Sequence, residues 1–361
     1  MLRVYNFAAG PSTLSMTVLE EAASELVDYR GTGMSLIEMS HRGAHYDAVH
    51  REAVSLVREL LMVPPEFHVL FLQGGATMQF AMVPLAFLGG GRTADYIITG
   101  HWARRAHADA SVVGDARAVW DGSGEGYSRI PSVEEIPFRK EAAYVHMCSN
   151  ETIGGIQWRD FPDTGGPHLV IDMSSDVLSR PLPWARISML YAGTQKNLAP
   201  AGMTLVIMRD DLLARARRDL PAYLRYDIHA DNDSLFNTPP TFIVWVMMLT
   251  LRWVKSIGGL PEIERRRDAR AAAVYGAIDG SGGFFRTPVE RSSRSTMNIV
   301  WTLADARLDR EFLEGAEREK MYGLKGHKSV GGFRASLYNA MPVEGAEALA
   351  AYMRRFAALN G

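Results

Sequence analysis

From residue 68 onward, short apolar runs that read as strands alternate with stretches of helical periodicity. The strand runs are "HVLFL" (68–72), "DYIIT" (95–99), "ARAVW" (116–120), "YVHMC" (144–148), "HLVIDM" (168–173), "SMLYAG" (188–193) and "TLVIMR" (204–209), with helices expected from about 76 and about 102. Several of these runs are apolar on both sides of the pleat, as strands buried on two faces must be. The pattern predicts an α/β fold, a mostly parallel sheet covered by helices on both faces.

Before this region, "SMTVLEEAASELVDYRG" (15–31) spaces its apolar residues as a helix does, with Ser15 as cap and Gly31 as stop, and a second helix is expected over 47–63, ending before Pro64. After it, "FIVWVMMLTL" (242–251) is about half of the roughly 20 residues a membrane span needs and reads as a buried helix. A charged helix over about 260–278 leads into "DGSGG" (279–283), which reads as a hinge. Beyond that, "MNIVWTL" (297–303), a helix near 308–322, "FRASLY" (333–338) and a terminal helix from about 343 make a smaller α+β unit. A large domain is expected over 16–257 and a small one over 258–361, with 1–15 as a joining segment.

Length and composition agree with two unequal lobes: 361 residues, 47% hydrophobic and 22% charged, are the balance of a chain that buries a core. With 39 basic and 41 acidic residues there is no global field to hold nucleic acid or an anionic membrane, so neither partner is expected. The basic run "ERRRDARAAAVY" (264–275) intersperses acids and alanines as a solvated helix face does. The single cysteine, Cys148, leaves no intramolecular disulfide, and "MLRVYNFAAGP" lacks the apolar core of a secretion signal; a reducing cytoplasm is expected.

Sheets of this kind collect ligands beyond the carboxyl ends of their strands, and several polar residues lie there. "FLQGGATMQF" (71–80) passes from a strand through Gly74 and Gly75 to Ala76 and Thr77, giving free N–H groups and a positive dipole end for a phosphate. "LVIDM" ends a buried strand in Asp172, where a carboxylate needs a cation or a helix N-terminus. Lys196, in "YAGTQKNLAP", follows the next strand, so both side chains can reach one cleft. An aldehyde-trapping lysine, an aspartate for a pyridine nitrogen, an aromatic face such as Trp102 and N–H donors for a phosphate are what pyridoxal 5'-phosphate requires. Each residue alone also allows a plainer reading: Lys196 as a surface cation, Asp172 as a helix cap, Trp102 as packing.

In combination, "NFAAGPSTL", "EMSHRG", "LQGGATMQF", "CSNETIGG", "IDMSSD", "GTQKN", "FNTPPT" and "GHKSVGGFRASLYNAM" occur in order along nearly the whole chain. On these landmarks the sequence resembles the phosphoserine aminotransferases, of the fold-type I pyridoxal-phosphate enzymes. The resemblance implies that Lys196 is the Schiff-base lysine, Asp172 the partner of the ring nitrogen, and Trp102 the ring-stacking residue. It implies that Ala76 and Thr77 form the phosphate turn and that Thr152 and Gln195 are polar contacts. It implies that Asn237 and Thr238 reach the cofactor phosphate of the neighbouring subunit, making a homodimer part of the site. For substrate it implies Arg334 on the α-carboxylate, Arg42 beside His41 on the distal anion, and His327 and Lys328 on a phosphate from the partner subunit. Lysine stands at 328 where the family often has arginine, replacing a planar fork by a point charge. No metal is called for.

The implied reaction moves the amino group of L-glutamate to 3-phosphohydroxypyruvate in serine biosynthesis, with the pyridoxine-pathway substrate 4-phosphohydroxy-threonine as a second candidate. Two alternatives stay open. One is another class V enzyme, an aminotransferase for an uncharged keto acid or a cysteine desulfurase using Cys148. The other is a non-catalytic module that only holds the cofactor.

Overall fold

The computed structural model describes residues 3–361. Seven strands form one sheet: β1 (Phe67–Gln73), β2 (Thr93–Ile98), β3 (Asp115–Asp121), β4 (Tyr144–Cys148), β5 (His168–Asp172), β6 (Met189–Gly193) and β7 (Met203–Arg209). Their order across the sheet is β1-β7-β6-β5-β4-β2-β3. Neighbours from β6 to β3 run parallel, and β7 is antiparallel to both β6 and β1. The mostly parallel sheet expected from the sequence is therefore present, with one reversed strand near its edge.

Helices α1 (Met16–Glu25), α2 (Ala44–Leu61), α3 (Gly75–Phe87), α4 (His101–Val113), α5 (Thr241–Ser256), α6 (Gly259–Asp279), α7 (Asp309–Arg318) and α8 (Val343–Asn360) complete the regular frame. One apolar cluster joins α2 and α5 to the face that carries Ile97, Val145, Leu169 and Leu190. A second joins α3 and α4 to the opposite face, which carries Tyr96, Tyr144, Val170 and Tyr191. Successive strand residues point to opposite faces, so a run such as Leu169-Val170 must be apolar throughout.

A third cluster is built from α8, α7, the later part of α6 and the strands β8 (Phe285–Arg286), β9 (Asn298–Leu303) and β10 (Phe333–Ser336), with Phe7 of the N-terminal segment inside it. Helix α6 spans two clusters: Leu260 and Ile263 pack with the large sheet, Ala271, Val274 and Ile278 with the small one.

Three expected boundaries shift, each for a local reason. Helix α1 stops at Glu25, short of Gly31, because Asp28 accepts the N–H of Gly33 at 2.7 Å and draws the chain into a turn. Helix α2 starts at Ala44 and ends at Leu61, where Met62 turns left-handed (φ 51°). Helix α7 ends at Arg318, and Met321–Tyr322 pairs instead with Tyr5–Asn6. Among the described residues no single helix is long and apolar enough to cross a membrane; α5 and α6 pass that test only together, bent by 84°.

Candidate active site

Strand β5 ends in Asp172 and its neighbour β6 ends in Gly193, three residues before Lys196; Asp172 pairs in register with Tyr191. This adjacency brings the acid and the amine to the same end of the sheet. The Lys196 ammonium donates to the Thr152 hydroxyl at 2.8 Å and lies 5.7 Å from the centre of the Trp102 ring. Its backbone is held from the N-terminal segment, because Ser12 donates to the Lys196 carbonyl and its own N–H to that of Gln195.

Asp172 is buried, and its carboxylate accepts the Ser174 N–H at 2.9 Å. Burial pushes its carboxyl above the usual range, opposed by the Lys196 charge and the bond to Ser174. A second cation beside it would offset a buried charge that Ser174 and Lys196 stabilise only in part.

Arg334, on β10, donates to the Thr152 carbonyl at 3.3 Å, and its Nε is buried without a partner. Burial lowers the pKa of its guanidinium. Thr152 thus lies between the amine of one lobe and the arginine of the other. The gap leaves a guanidinium edge for an incoming carboxylate.

Ala76 and Thr77 occupy the first turn of α3, which follows Gly74 (φ 97°) and has no side-chain cap. Its free N–H groups therefore point beyond the sheet. Gln73, the last residue of β1, accepts from Asn237 at 3.0 Å and donates to the Thr238 carbonyl at 2.7 Å. Asn237 and Thr238 are thus tied to the end of β1 in their own chain. Gln195 is half-buried next to Lys196.

The residues that the resemblance implies for substrate divide into two groups. The His327 ring stands 5.9 Å from that of His101 in the same chain, and burial, then Arg334, His101 and Lys328, lower its pKa. The 327–328 loop therefore begins beside His101 of its own chain. His41 and Arg42 make no hydrogen bond or ion pair to Lys196, Asp172 or Arg334 among the described residues. Arg42 is exposed, and the His41 Nε2 is buried without a partner.

Four residues escaped sequence reasoning. Glu151 is fully buried and accepts from the N–H groups of Trp102 (2.9 Å) and Ala103 (2.8 Å). Ser174 accepts the Gly193 N–H at 3.0 Å, tying the two strand ends together. His101 and Gln73 complete the set. The one available signal was Gly100 before α4, a helix start without a capping side chain of its own. Among the described residues no group of three or more His, Cys, Asp or Glu is placed to hold a metal.

The class-V aminotransferase family model matches residues 4–349. A phosphoserine aminotransferase of Niallia circulans is 48% identical over 359 residues, 99% of each chain. The chain belongs to the phosphoserine aminotransferases of class V. A solved phosphoserine aminotransferase from Bacillus circulans subsp. alkalophilus superposes with a TM-score of 0.97 at 48% identity, covering 99% of both chains. The PLP-bound phosphoserine aminotransferase of Trichomonas vaginalis gives a TM-score of 0.92 at 37% identity, over 98% of this chain and 100% of that one. Class-V aminotransferases use pyridoxal phosphate, and a solved relative is PLP-bound.

Proposed function

We propose that the chain is a phosphoserine transaminase that uses pyridoxal 5'-phosphate to move the amino group of L-glutamate to 3-phosphohydroxypyruvate, giving 2-oxoglutarate and O-phospho-L-serine for serine biosynthesis. The observation that carries this reading is the convergence on Thr152 of the Lys196 amine and the Arg334 guanidinium, beside the Trp102 ring. When bound, the cofactor supplies an aldehyde that condenses with amines and a protonated ring that takes up the electron pair left on the substrate α-carbon.

The residues present fit that group. Lys196 would hold the aldehyde carbon, Asp172 the ring nitrogen, Trp102 the ring face, Thr152 and Gln195 the polar edge, and the Ala76–Thr77 turn the phosphate. With the cofactor bound, the Lys196 amine would take the α-proton of the substrate as a base and, as an acid, give it to the carbon that had carried the aldehyde. Arg334 grips the α-carboxylate and so orients the α-C–H bond toward that amine. Lys328 offers a cation and His327 a ring N–H for the distal phosphate. The same cleft serves glutamate because its side-chain carboxylate is also an anion.

A homodimer with shared sites is part of this proposal. Arg42 makes no ion pair among the described residues, and Leu19, Leu26, Val27, Met34 and Ile37 are exposed shortly before it in the chain. Such a stretch suits an interface that delivers His41 and Arg42, with Asn237 and Thr238, to a neighbour's cleft. We propose further a large cofactor domain over 16–257, a small one over 258–361, and a cytoplasmic setting; 4-phosphohydroxy-threonine is a second candidate substrate.

The desulfurase alternative is disfavoured by Cys148, whose thiol is buried against the Asn150 carbonyl (3.4 Å) and pushed well above its usual pKa by burial. A persulfide carrier needs an accessible thiolate. The reading is tested by a coupled assay of the purified protein with glutamate and a panel of keto acids. Phosphohydroxypyruvate is expected to be the best acceptor, with pyruvate poorer by about 10³-fold in kcat/KM, because a site built for an anionic group rejects a substrate that lacks it. Equal activity with pyruvate would overturn the substrate assignment, and a spectrum unchanged by glutamate would favour a binding module.

A further inference from the structure

Helix α4 starts without a cap of its own: Gly100 at its N-cap position has no side chain, and the first turn holds His101 and Trp102 rather than an acid. The orphan N–H groups are taken by a residue far away in sequence. Both oxygens of Glu151 are used, Oε2 on the Trp102 N–H and Oε1 on the Ala103 N–H. The carboxylate has no exposed surface and, among the described residues, forms no ion pair, so the positive end of α4, with the charge of Lys196, is what opposes its burial. Gly100 is the space that lets it in, because a Cβ there would lie 2.5 Å from the Glu151 carboxyl carbon.

This clamp acts on the residue that faces Lys196. The indole Nε1 of Trp102 is buried without a hydrogen-bond partner, so the polar tie that fixes this residue is its backbone N–H. Burial pushes the Glu151 carboxyl up to about 7; the bonds to Ala103 and Trp102 hold it down, Asp172 raises it further and Lys196 lowers it. The group therefore senses both charged residues of the cleft while touching neither. Burying a carboxylate costs several kcal/mol, and a capping serine at position 100 would satisfy one N–H without that cost.

We propose that Glu151 is a positioning residue of the active site, which pins the start of α4 so that the Trp102 ring is held over the place where the cofactor ring binds next to Lys196. The inference rests on the cofactor reading above and assigns Gly100 a role with it. Glu151 touches neither substrate nor cofactor and acts through Trp102.

That indirect action is what a double-mutant cycle reads. Holoenzymes of the parent, Glu151→Ala, Trp102→Ala and the double variant are compared by the rate at which pyridoxal phosphate leaves the protein and by the visible circular dichroism of the bound cofactor. Each single substitution is expected to speed cofactor loss about tenfold, Glu151→Ala through the lost charge-assisted hydrogen bonds and Trp102→Ala through the lost stacking face. The double variant is expected to match Trp102→Ala within about twofold, since coupled residues are not additive. Gly100→Ala, which displaces the carboxylate, should reproduce the dichroism change of Glu151→Ala. Should Glu151→Ala fail to fold, Glu151→Gln replaces it in the cycle, because an amide oxygen can still accept one of the two N–H groups.

Multiplicative effects in the cycle, or cofactor loss and dichroism unchanged in the Glu151 variants, would overturn the proposal. A parent that holds the cofactor but fails to transaminate phosphohydroxypyruvate sinks the substrate reading and leaves these readouts intact.

Discussion

Lys196→Ala is expected to lower the rate of the glutamate half-reaction by at least about 10³-fold while leaving the fold in place. General acid–base work alone supplies about 10²–10⁴-fold in enzymes, and here one amine performs both proton transfers as well as the covalent hold on the cofactor. The structural loss is small by comparison. The side chain is half-buried and its recorded bond is the one to Thr152, so thermal unfolding followed by circular dichroism should shift by a few degrees at most. Stopped-flow absorbance after mixing with glutamate measures the rate. A variant that turns over within tenfold of the parent would assign the chemistry to another residue.

Asp172→Asn is expected to slow the same half-reaction by about 10²–10³-fold, the range seen when a preorganised charge is removed from a transition state, with KM for glutamate changed only a few-fold. The substitution keeps the shape, and the amide oxygen can still accept the Ser174 N–H. What disappears is the negative charge. In the protein alone that charge is disfavoured by burial, with Lys196 as its principal opposing cation, so it is maintained for a second cation rather than for stability. A protonated ring nitrogen would be that cation, and a charged ring accepts electrons more readily than a neutral one. The discriminating feature is the split between kcat and KM. A rise in KM with kcat intact would mean that Asp172 merely helps to bind.

Much of this frame was legible in the residues. The runs at 144–148, 168–173 and 188–193 read as strands of a mostly parallel sheet, and the polar residues just after the strand runs pointed to the end where ligands collect. Asp172 and Lys196 could be brought together from sequence because consecutive parallel strands tend to be neighbours. The reversed strand β7 was not legible, since direction leaves no trace in an apolar run. The helix ends at Glu25, Leu61 and Arg318 were missed because a side-chain bond, a left-handed residue and a strand pairing each outcompeted another helical turn.

The site's supporting contacts were hidden for a different reason. Glu151 meets Trp102 across 49 positions and Gln73 meets Asn237 across 164, distances over which no periodicity or spacing speaks. "CSNETIGG" and "LQGGATMQF" could be matched as landmarks without their carboxylate or amide having any visible partner. The place of His327 against His101 of its own chain also depends on how the two lobes meet, which a single sequence does not state.

The covalent claim at Lys196 is tested most directly by reducing the purified holoenzyme with borohydride, digesting it and locating the label by mass spectrometry. The account predicts one pyridoxyl group on the ε-nitrogen of Lys196, in the peptide that follows strand β6. A label on another lysine, or no stable label on the chain, would contradict it.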